Sequence, residues 1–362
     1  MNMIFSLIWF IIIFSIVVVS HEFGHFIVAK ANGIRVKEFM VGFGPSIIKF
    51  KKGETTYKIN ILPLGGACVY DGMDEIEDSS EEEAVEEQGQ VKDRSKFLNA
   101  SPWAKLATLL AGPLFNFILG FIVAFIMVNM IIIREPVVTD VIEGGAAEAA
   151  GLQAGDRITA LNGEKIYLYD EISVFTSYYH GGSVRVTYVR GGETGEVVLT
   201  PYYNEELGRY LLGITNDTYV EELHGLDAFR YTWYEMRYNV LMVWKGLGAL
   251  ITGNINRENV AGPVGMVNMV GDIIEETSPY GWQTVLVNML NLTLLLTVNL
   301  GIFNLLPVPA LDGGRILFAL VEIVRGKPVP PKKEAYVHLA GMVLLLMIVV
   351  AVFFNDIHNI FN

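Results

Sequence analysis

Four stretches of this chain are apolar for long enough to cross about 30 Å of hydrocarbon as helix, which takes ~20 residues. They run roughly from Ile4 to Ala29, Ala104 to Ile133, Val285 to Leu306 and His338 to Phe354. A helix that is apolar all round needs lipid or a large core on every side, and four of them in one chain point to lipid. With a hydrophobic fraction of 52% over 362 residues, the pattern reads as a multi-pass α-helical membrane protein carrying some soluble structure. The first run lacks the basic start of a secretion signal, and cleavage near its end would discard or expose Ser20-His21-Glu22-Phe23-Gly24-His25. It reads as a retained transmembrane helix.

That hexapeptide contains H-E-x-x-H inside an apolar span. On a helix, His21 and His25 are one turn apart on one face, so two imidazoles can converge on one metal ion. Glu22 projects from the neighbouring side, placed to act on a water without being a ligand. The pentapeptide alone is a modest signal. Ionisable groups in a membrane span are costly, however, so they face a protein interior and are functional by default.

The net charge of -13 is concentrated in Asp71 to Glu87, a run that reads as a solvated loop and argues against nucleic acid as a partner. Cys68 is the one cysteine, which excludes an intramolecular disulfide and a cysteine-based structural zinc site. Lys30, Arg35, Lys37, Lys49, Lys51 and Lys52 crowd the first loop, and Arg315, Arg325, Lys327, Lys332 and Lys333 the loop between the last two spans. The positive-inside rule puts both loops in the cytoplasm and both termini outside. His21 and His25 then lie near the cytoplasmic end of the first helix.

Between the first two spans, Ser46 to Phe50, a Lys52-Gly53-Glu54 turn and Tyr57 to Ile61 read as a hairpin, which ends in Leu62-Pro63-Leu64-Gly65-Gly66. The paired glycines allow close backbone approach. The hairpin reads either as a small sheet with no further role or as a strand edge that captures an extended substrate through main-chain hydrogen bonds. The second span opens with Ser101-Pro102, a hydroxyl cap and a proline at the first helical position. It carries Ala111-Gly112-Pro113-Leu114-Phe115-Asn116; Gly112 reads as a packing residue, and Pro113 and Asn116 as possible supports for the metal helix.

From about Pro136 to Ile214 the character is soluble, with short strands at Val137-Val141, Arg157-Leu161, Ser183-Val189 and Gly195-Leu199. The small-residue stretch Ala146 to Ala150, the Gly151-Leu152-Gln153-Ala154-Gly155-Asp156 turn and the Asn162-Gly163 hairpin together resemble a PDZ domain of the bacterial protease type. Such a resemblance implies an inserted extracytoplasmic α/β domain that binds extended peptides or serves only as a structural module. Leu226 to Ile251 reads as a helix, lying on the outer membrane surface or packed on the PDZ module. Asn259 to Gly265 reads as a turn back to the bilayer.

A catalytic zinc site needs three protein ligands and an open position. Helix three runs into Asn304-Leu305-Leu306-Pro307-Val308-Pro309-Ala310-Leu311-Asp312-Gly313-Gly314-Arg315, where two prolines break it at membrane depth. Irregular backbone there is tolerated only in a protein interior or a polar cavity. Asp312 sits at the level assigned to His21 and His25 and is the candidate third ligand. Its plainer reading is a cap for the following helix.

Taken in order, H-E-F-G-H, G-F-G-P with L-P-L-G-G, A-G-P-L-F-N, the PDZ insertion and N-L-L-P-V-P-A-L-D-G-G-R resemble the site-2 protease family of intramembrane zinc metalloproteases, closest to its bacterial RseP/RasP-type branch. The resemblance covers nearly the whole chain. It implies Zn2+ on His21, His25 and Asp312, Glu22 as general base, and Asn304 on the substrate backbone. The hairpin before Gly65 and Gly66 would clamp the substrate. It implies regulated intramembrane proteolysis of single-pass proteins such as anti-sigma factors, after a first cut by an extracytoplasmic site-1 protease, in the bacterial plasma membrane. The chain departs from the enterobacterial members in having one PDZ domain rather than two, in Ala67 where an aromatic usually follows the glycine pair, and in a longer acidic run.

The expected division of the chain is helix one at 1–30, hairpin and acidic loop at 31–100, helix two at 101–133, PDZ domain at 134–216 and an amphipathic segment at 217–283. Helix three follows at 284–316, then a cytoplasmic loop and helix four at 317–362. Two rival classes stand beside the protease. One is a non-enzymatic PDZ membrane scaffold with a structural metal site. The other is a metal transporter, hinted at by Asn288, Asn291 and Asn299.

Overall fold

The computed structural model describes residues 3–72, 93–179, 181–205, 207–220, 223–253 and 262–361. The chain divides into two compact units, residues 1–123 with 255–362, and residues 124–254. Most of the acidic run and the start of the Asn259 to Gly265 turn lie outside the described residues.

Helix α1 covers Met3–Ala31. Ile8, Ile12, Ile16, Phe23 and Ile27 are exposed along one stripe, whereas Phe10, Ile13, Val17, His21 and His25 are buried along the other. Both stripes follow the 3.6-residue period, so the helix has an inner face although its residues are apolar all round. Strands β1 (Val36–Lys52) and β2 (Thr55–Tyr70) turn at Gly53, whose φ is +63°. The hairpin is longer than the sequence suggests because each strand is bent and used twice. Lys52 to Ser46 pairs with Thr55 to Asn60, and Val36 to Val41 pairs with Tyr70 to Gly66. Glu38 to Val41 also partners Thr56 to Ile59, so it has a backbone neighbour on either side. Segment 66–70 forms one edge of this layer.

Helix α2 spans Pro102–Val128, and the Ser101 hydroxyl accepts from the Ala104 amide at its start. It ends before the expected Ile133. Ile133 instead packs with Val128, Leu168 and Tyr231 in a core of the second unit, so an apolar tail that looked like membrane span belongs to a soluble interior.

In the second unit, β3 (Arg157–Leu161) turns through Asn162-Gly163 into β4 (Glu164–Lys165). Both turn residues have positive φ, +50° and +85°, the requirement of a two-residue hairpin turn that matches strand twist. Helix α3 (Tyr169–Ser177) follows, then β5 (Val184–Arg190) and β6 (Glu193–Leu199), giving a sheet in the order β4-β3-β5-β6. Its core is Ile158, Leu161, Val184, Val186, Leu152 and Ala147. Helix α4 (Asp227–Ile251) buries Tyr231, Met236 and Val243, and Arg237 bonds to Glu171 and to the Lys165 carbonyl. One face of this helix packs on the module, as one of the two readings expects, and another leaves Phe229, Trp233 and Trp244 exposed.

The first unit resumes with α5 (Pro263–Thr277), a helix that the sequence reading passed over. Val270 and Ile274 pack with Phe10, Ile13 and Met289. Helices α6 (Trp282–Leu305), α7 (Asp312–Arg325) and α8 (Pro331–Phe361) complete the chain. Among the described residues, four helices, α1, α2, α6 and α8, are long and apolar enough to cross a membrane. The last begins at Pro331, seven residues before the expected His338, because the charged Lys332, Lys333 and Glu334 lie in its first turns rather than in a loop.

Candidate active site

The inner face of α1 brings His21 and His25 side by side, and the turn into α7 brings Asp312 to them from the far end of the chain. Asp312 Oδ2 lies 3.0 Å from His21 Nε2 and 3.2 Å from His25 Nε2, and the two nitrogens are 3.2 Å apart. The three form a group able to hold a metal ion. Tetrahedral ligation with bonds of about 2.0–2.1 Å separates ligand atoms by about 3.3 Å, so the observed triangle fits zinc.

The hydrogen bonding supports the same conclusion. His25 Nδ1 is 2.8 Å from the Thr108 carbonyl oxygen. A carbonyl only accepts, so Nδ1 carries the proton, and in the neutral ring Nε2 presents a bare lone pair. That lone pair faces a carboxylate oxygen and a second imidazole nitrogen. Lone pairs turned toward one another call for a positive centre among them, a proton on His21 Nε2 or a metal ion, and burial sharpens this, since His21 is 6% and His25 4% exposed. A ligating histidine held through its other ring nitrogen by a carbonyl is also the usual outer arrangement of a metal centre.

Close approach of α2 makes the arrangement possible. A Cβ at Gly24 would meet the Ala111 carbonyl oxygen at 2.4 Å, and one at Gly112 would meet His25 Nε2 at 2.4 Å and His21 Cε1 at 2.7 Å. Gly112 is therefore a cradle for the imidazoles rather than a general packing residue. Asn116, fully buried, places its amide 3.3 Å from His21 Nδ1. Its backbone carbonyl oxygen accepts from the Thr297 hydroxyl of α6. Thr108, Gly112 and Asn116 thus make a small, polar stripe at four-residue spacing on one face of an apolar helix. That stripe is a signal the sequence reading used only for Asn116.

Glu22 is half-buried beside this triangle and is hydrogen-bonded by the Cys68 backbone on the edge segment of the sheet. A Cβ at Gly66 would lie 3.1 Å from Glu22 Cγ and 3.0 Å from the Met40 carbonyl oxygen. Gly65 has φ +89°, and a Cβ there would strike the Phe43 ring at 2.3 Å. Both glycines are required by geometry: one admits a left-handed bend, the other lets a strand edge touch the Glu22 side chain. Gly313 and Gly314 have a similar necessity. Side chains there would meet the Leu306 carbonyl oxygen at 2.0 Å and that of Val308 at 2.6 Å, so the pair lets α7 start hard against the end of α6. Asn304 lies on the last turn of α6, half-buried.

Two imidazoles and the neighbouring Glu22 carboxylate on α1, a helix long and apolar enough to cross a membrane, together with the Asp312 carboxylate at the start of α7, make a group with the donor set of a hydrolytic metal centre. The chain belongs to peptidase family M50, whose family model matches residues 9–348. It is similar to the zinc metalloprotease RasP of Geobacillus kaustophilus, 32% identical with 98% of each chain covered. It is also similar to the regulator of sigma-W protease RasP of Bacillus subtilis, 29% identical over 98% of this chain and 99% of that protein. Among solved structures, the PDZ domain of the SdrC-like protein from Listeria monocytogenes matches 23% of this chain and 88% of that domain, at 21% identity and a TM-score of 0.21.

Proposed function

We propose that this chain is a zinc-dependent intramembrane endoprotease that cuts transmembrane segments of single-pass proteins. The observation that carries the reading is the triangle of His21, His25 and Asp312 beside Glu22. His21, His25 and Asp312 would hold Zn2+. When bound, zinc would supply Lewis acidity toward the scissile carbonyl and the attacking water.

The remaining steps belong to the chain. Glu22 takes the proton of the attacking water and returns it to the leaving amine. The Cys68 backbone and Gly66 fix where that carboxylate stands. A helical substrate hides its carbonyls in internal hydrogen bonds and must unwind before attack. The sheet edge at Gly65 and Gly66 offers the freed backbone new partners, as in strand addition. The Asn304 amide donates to the substrate backbone near the scissile bond or to the developing oxyanion.

Basic residues support cytoplasmic placement of the hairpin and of the connection from Arg315 to Lys333, with both termini and the PDZ-like segment outside. The expected division of the chain serves here with helix two ended at Val128 and α5 assigned to the first unit. A B. subtilis relative called a regulator of sigma-W protease supports anti-sigma-factor-like substrates, first shortened outside by a site-1 protease. The PDZ-like segment then docks the trimmed stub or filters substrates by size.

Glu22→Gln in purified full-length protein tests the reading. Cleavage of a model transmembrane substrate is expected to fall to background while bound zinc stays at the wild-type ratio. Wild-type cleavage by that variant would refute the mechanism.

A further inference from the structure

We propose that His338 of α8 is a positioning residue for Asp312, holding the turn that delivers this carboxylate to His21 and His25. The inference rests on the reading of Asp312 as a zinc ligand. It starts from the backbone between α6 and α7. Pro307 and Pro309 have no N–H to donate. The Val308 amide bonds back to the Leu306 carbonyl, and the Leu311 amide to that of Val308. The Ala310 amide alone in this stretch is given to a distant side chain, His338 Nδ1, at 2.9 Å and 28 residues along the chain.

Ala310 also stands at φ +78°. A residue with a Cβ is disfavoured in that region and persists there only where its surroundings over-determine it. The surroundings come from one turn of α8. Gly341, one turn after His338, is packed so tightly on the loop that a Cβ would lie 2.4 Å from the Pro309 carbonyl oxygen. The His338 ring is held in turn by Phe318 of α7, with centroids 5.6 Å apart. Its Nε2 faces Glu334, one turn earlier, at 3.8 Å. Accepting at Nδ1 requires the proton on Nε2, which is buried with no hydrogen-bond partner of its own among the described residues, so the ring's hydrogen bonding is committed to the Ala310 amide.

The rest of α8 does little packing. Only 6% of its span is buried, against 33–44% for the other three. Two of its fixed points are the His338 turn and Asp356, which accepts from the amides of Gly262, Val264 and Gly265 at the start of α5. A helix so loosely covered, yet in backbone contact with the loop two residues before Asp312, has its structural consequence there. With Nδ1 removed, Ala310 loses its anchor and relaxes from the left-handed region, and Leu311 and Asp312 move with it.

The test uses purified full-length protein with two variants that preserve the fold differently. His338→Phe keeps the ring volume against Phe318 but has no acceptor; His338→Asn restores an acceptor at the position of Nδ1. Zinc retention against a chelator, the visible spectrum of the cobalt-substituted protein, and kcat and KM on a transmembrane substrate are read for each. His338→Phe is expected to retain zinc about tenfold less well, with an altered cobalt spectrum and lower kcat at unchanged KM. His338→Asn is expected to recover most of each. A His338→Phe protein with wild-type zinc retention and cobalt spectrum overturns the proposal, as does an Asn variant no better than Phe. Asp312→Ala separates the two readings. If it keeps its zinc, the ligand assignment fails and this inference with it; if it loses zinc while His338→Phe does not, this inference alone fails.

Discussion

Asp156 and Asp312 are both carboxylates withdrawn from solvent, one in the soluble module and one in the membrane unit, and their surroundings are opposite. Asp156, completely buried, is surrounded by donors: the Gln153 amide and two nitrogens of Arg190. Asp312 is turned toward two imidazole nitrogens, at least one of which presents a lone pair. A buried carboxylate satisfied by donors is finished as a structural element. One aimed at imidazole lone pairs needs a positive centre between them, a proton or a metal ion, which is why burial alone does not distinguish structure from function and the identity of the neighbours does.

Removing each group should therefore fail differently. The largest effect is expected from Asp312→Ala, with cleavage falling below about a thousandth of wild type and zinc content below one per chain, while amide protection in β3 and β5 stays unchanged. Metal analysis and hydrogen exchange on the same sample read both. Gly112→Ala comes next. Its new methyl meets both imidazoles, and about 10- to 100-fold weaker zinc binding is expected, measured by competition with a chromogenic chelator. Wild-type affinity would mean that α2 can recede at little cost.

Asp156→Ala should leave zinc untouched and lower the stability of the soluble module. Breaking a wholly buried pair costs about 3–5 kcal/mol. Arg190 is partly exposed, at 39% of its side chain, and can turn to water, so about 2–3 kcal/mol is expected instead. Burial by itself would raise the Asp156 carboxyl, but the Arg190 and Gln153 hydrogen bonds and the Arg190 charge outweigh it and hold the group below its ordinary value. Its folded pKa is depressed, so its contribution is full above the unfolded pKa of about 4 and is lost as pH falls through the lower folded value.

The smallest effect comes from a carboxylate of the same module with the opposite balance. Burial, with Asp170 and Glu171 nearby, raises Glu235 to about 7. The folded state then binds its proton more tightly than the unfolded state, so module stability should decline as pH rises from about 4.3. Hydrogen exchange in β5 should show the slope, and Glu235→Gln should flatten it. A slope unchanged in that variant would assign it to other groups.

Much of this was legible in the chain. Four apolar runs, the spacing of His21 and His25, the Asn162-Gly163 hairpin and strand Arg157–Leu161 follow from local periodicity and turn chemistry, which act over a few residues. The longer hairpin was less legible, because β1 and β2 are each bent and share segments, and no local pattern marks a strand used twice. Helix α5 was missed because Pro263 to Gly265, read as the end of a turn, is its first turn, although Met266, Val267, Val270, Ile273 and Ile274 carry the helical period. The tail of the second span misled because lipid and a soluble core both accept Ile133.

The sequence by itself determined that this is a membrane protein with two histidines on one helical face, a glutamate beside them and an aspartate at a broken helix far along the chain. Those are matters of hydropathy, helical period and proline geometry, which need no partners. Only the tertiary structure decided that Gly112 must lack a side chain, that the Cys68 backbone reaches Glu22, and that His338 answers the Ala310 amide. Each depends on two backbones approaching to within a few ångströms, and such distances are set by packing between segments that the chain leaves far apart.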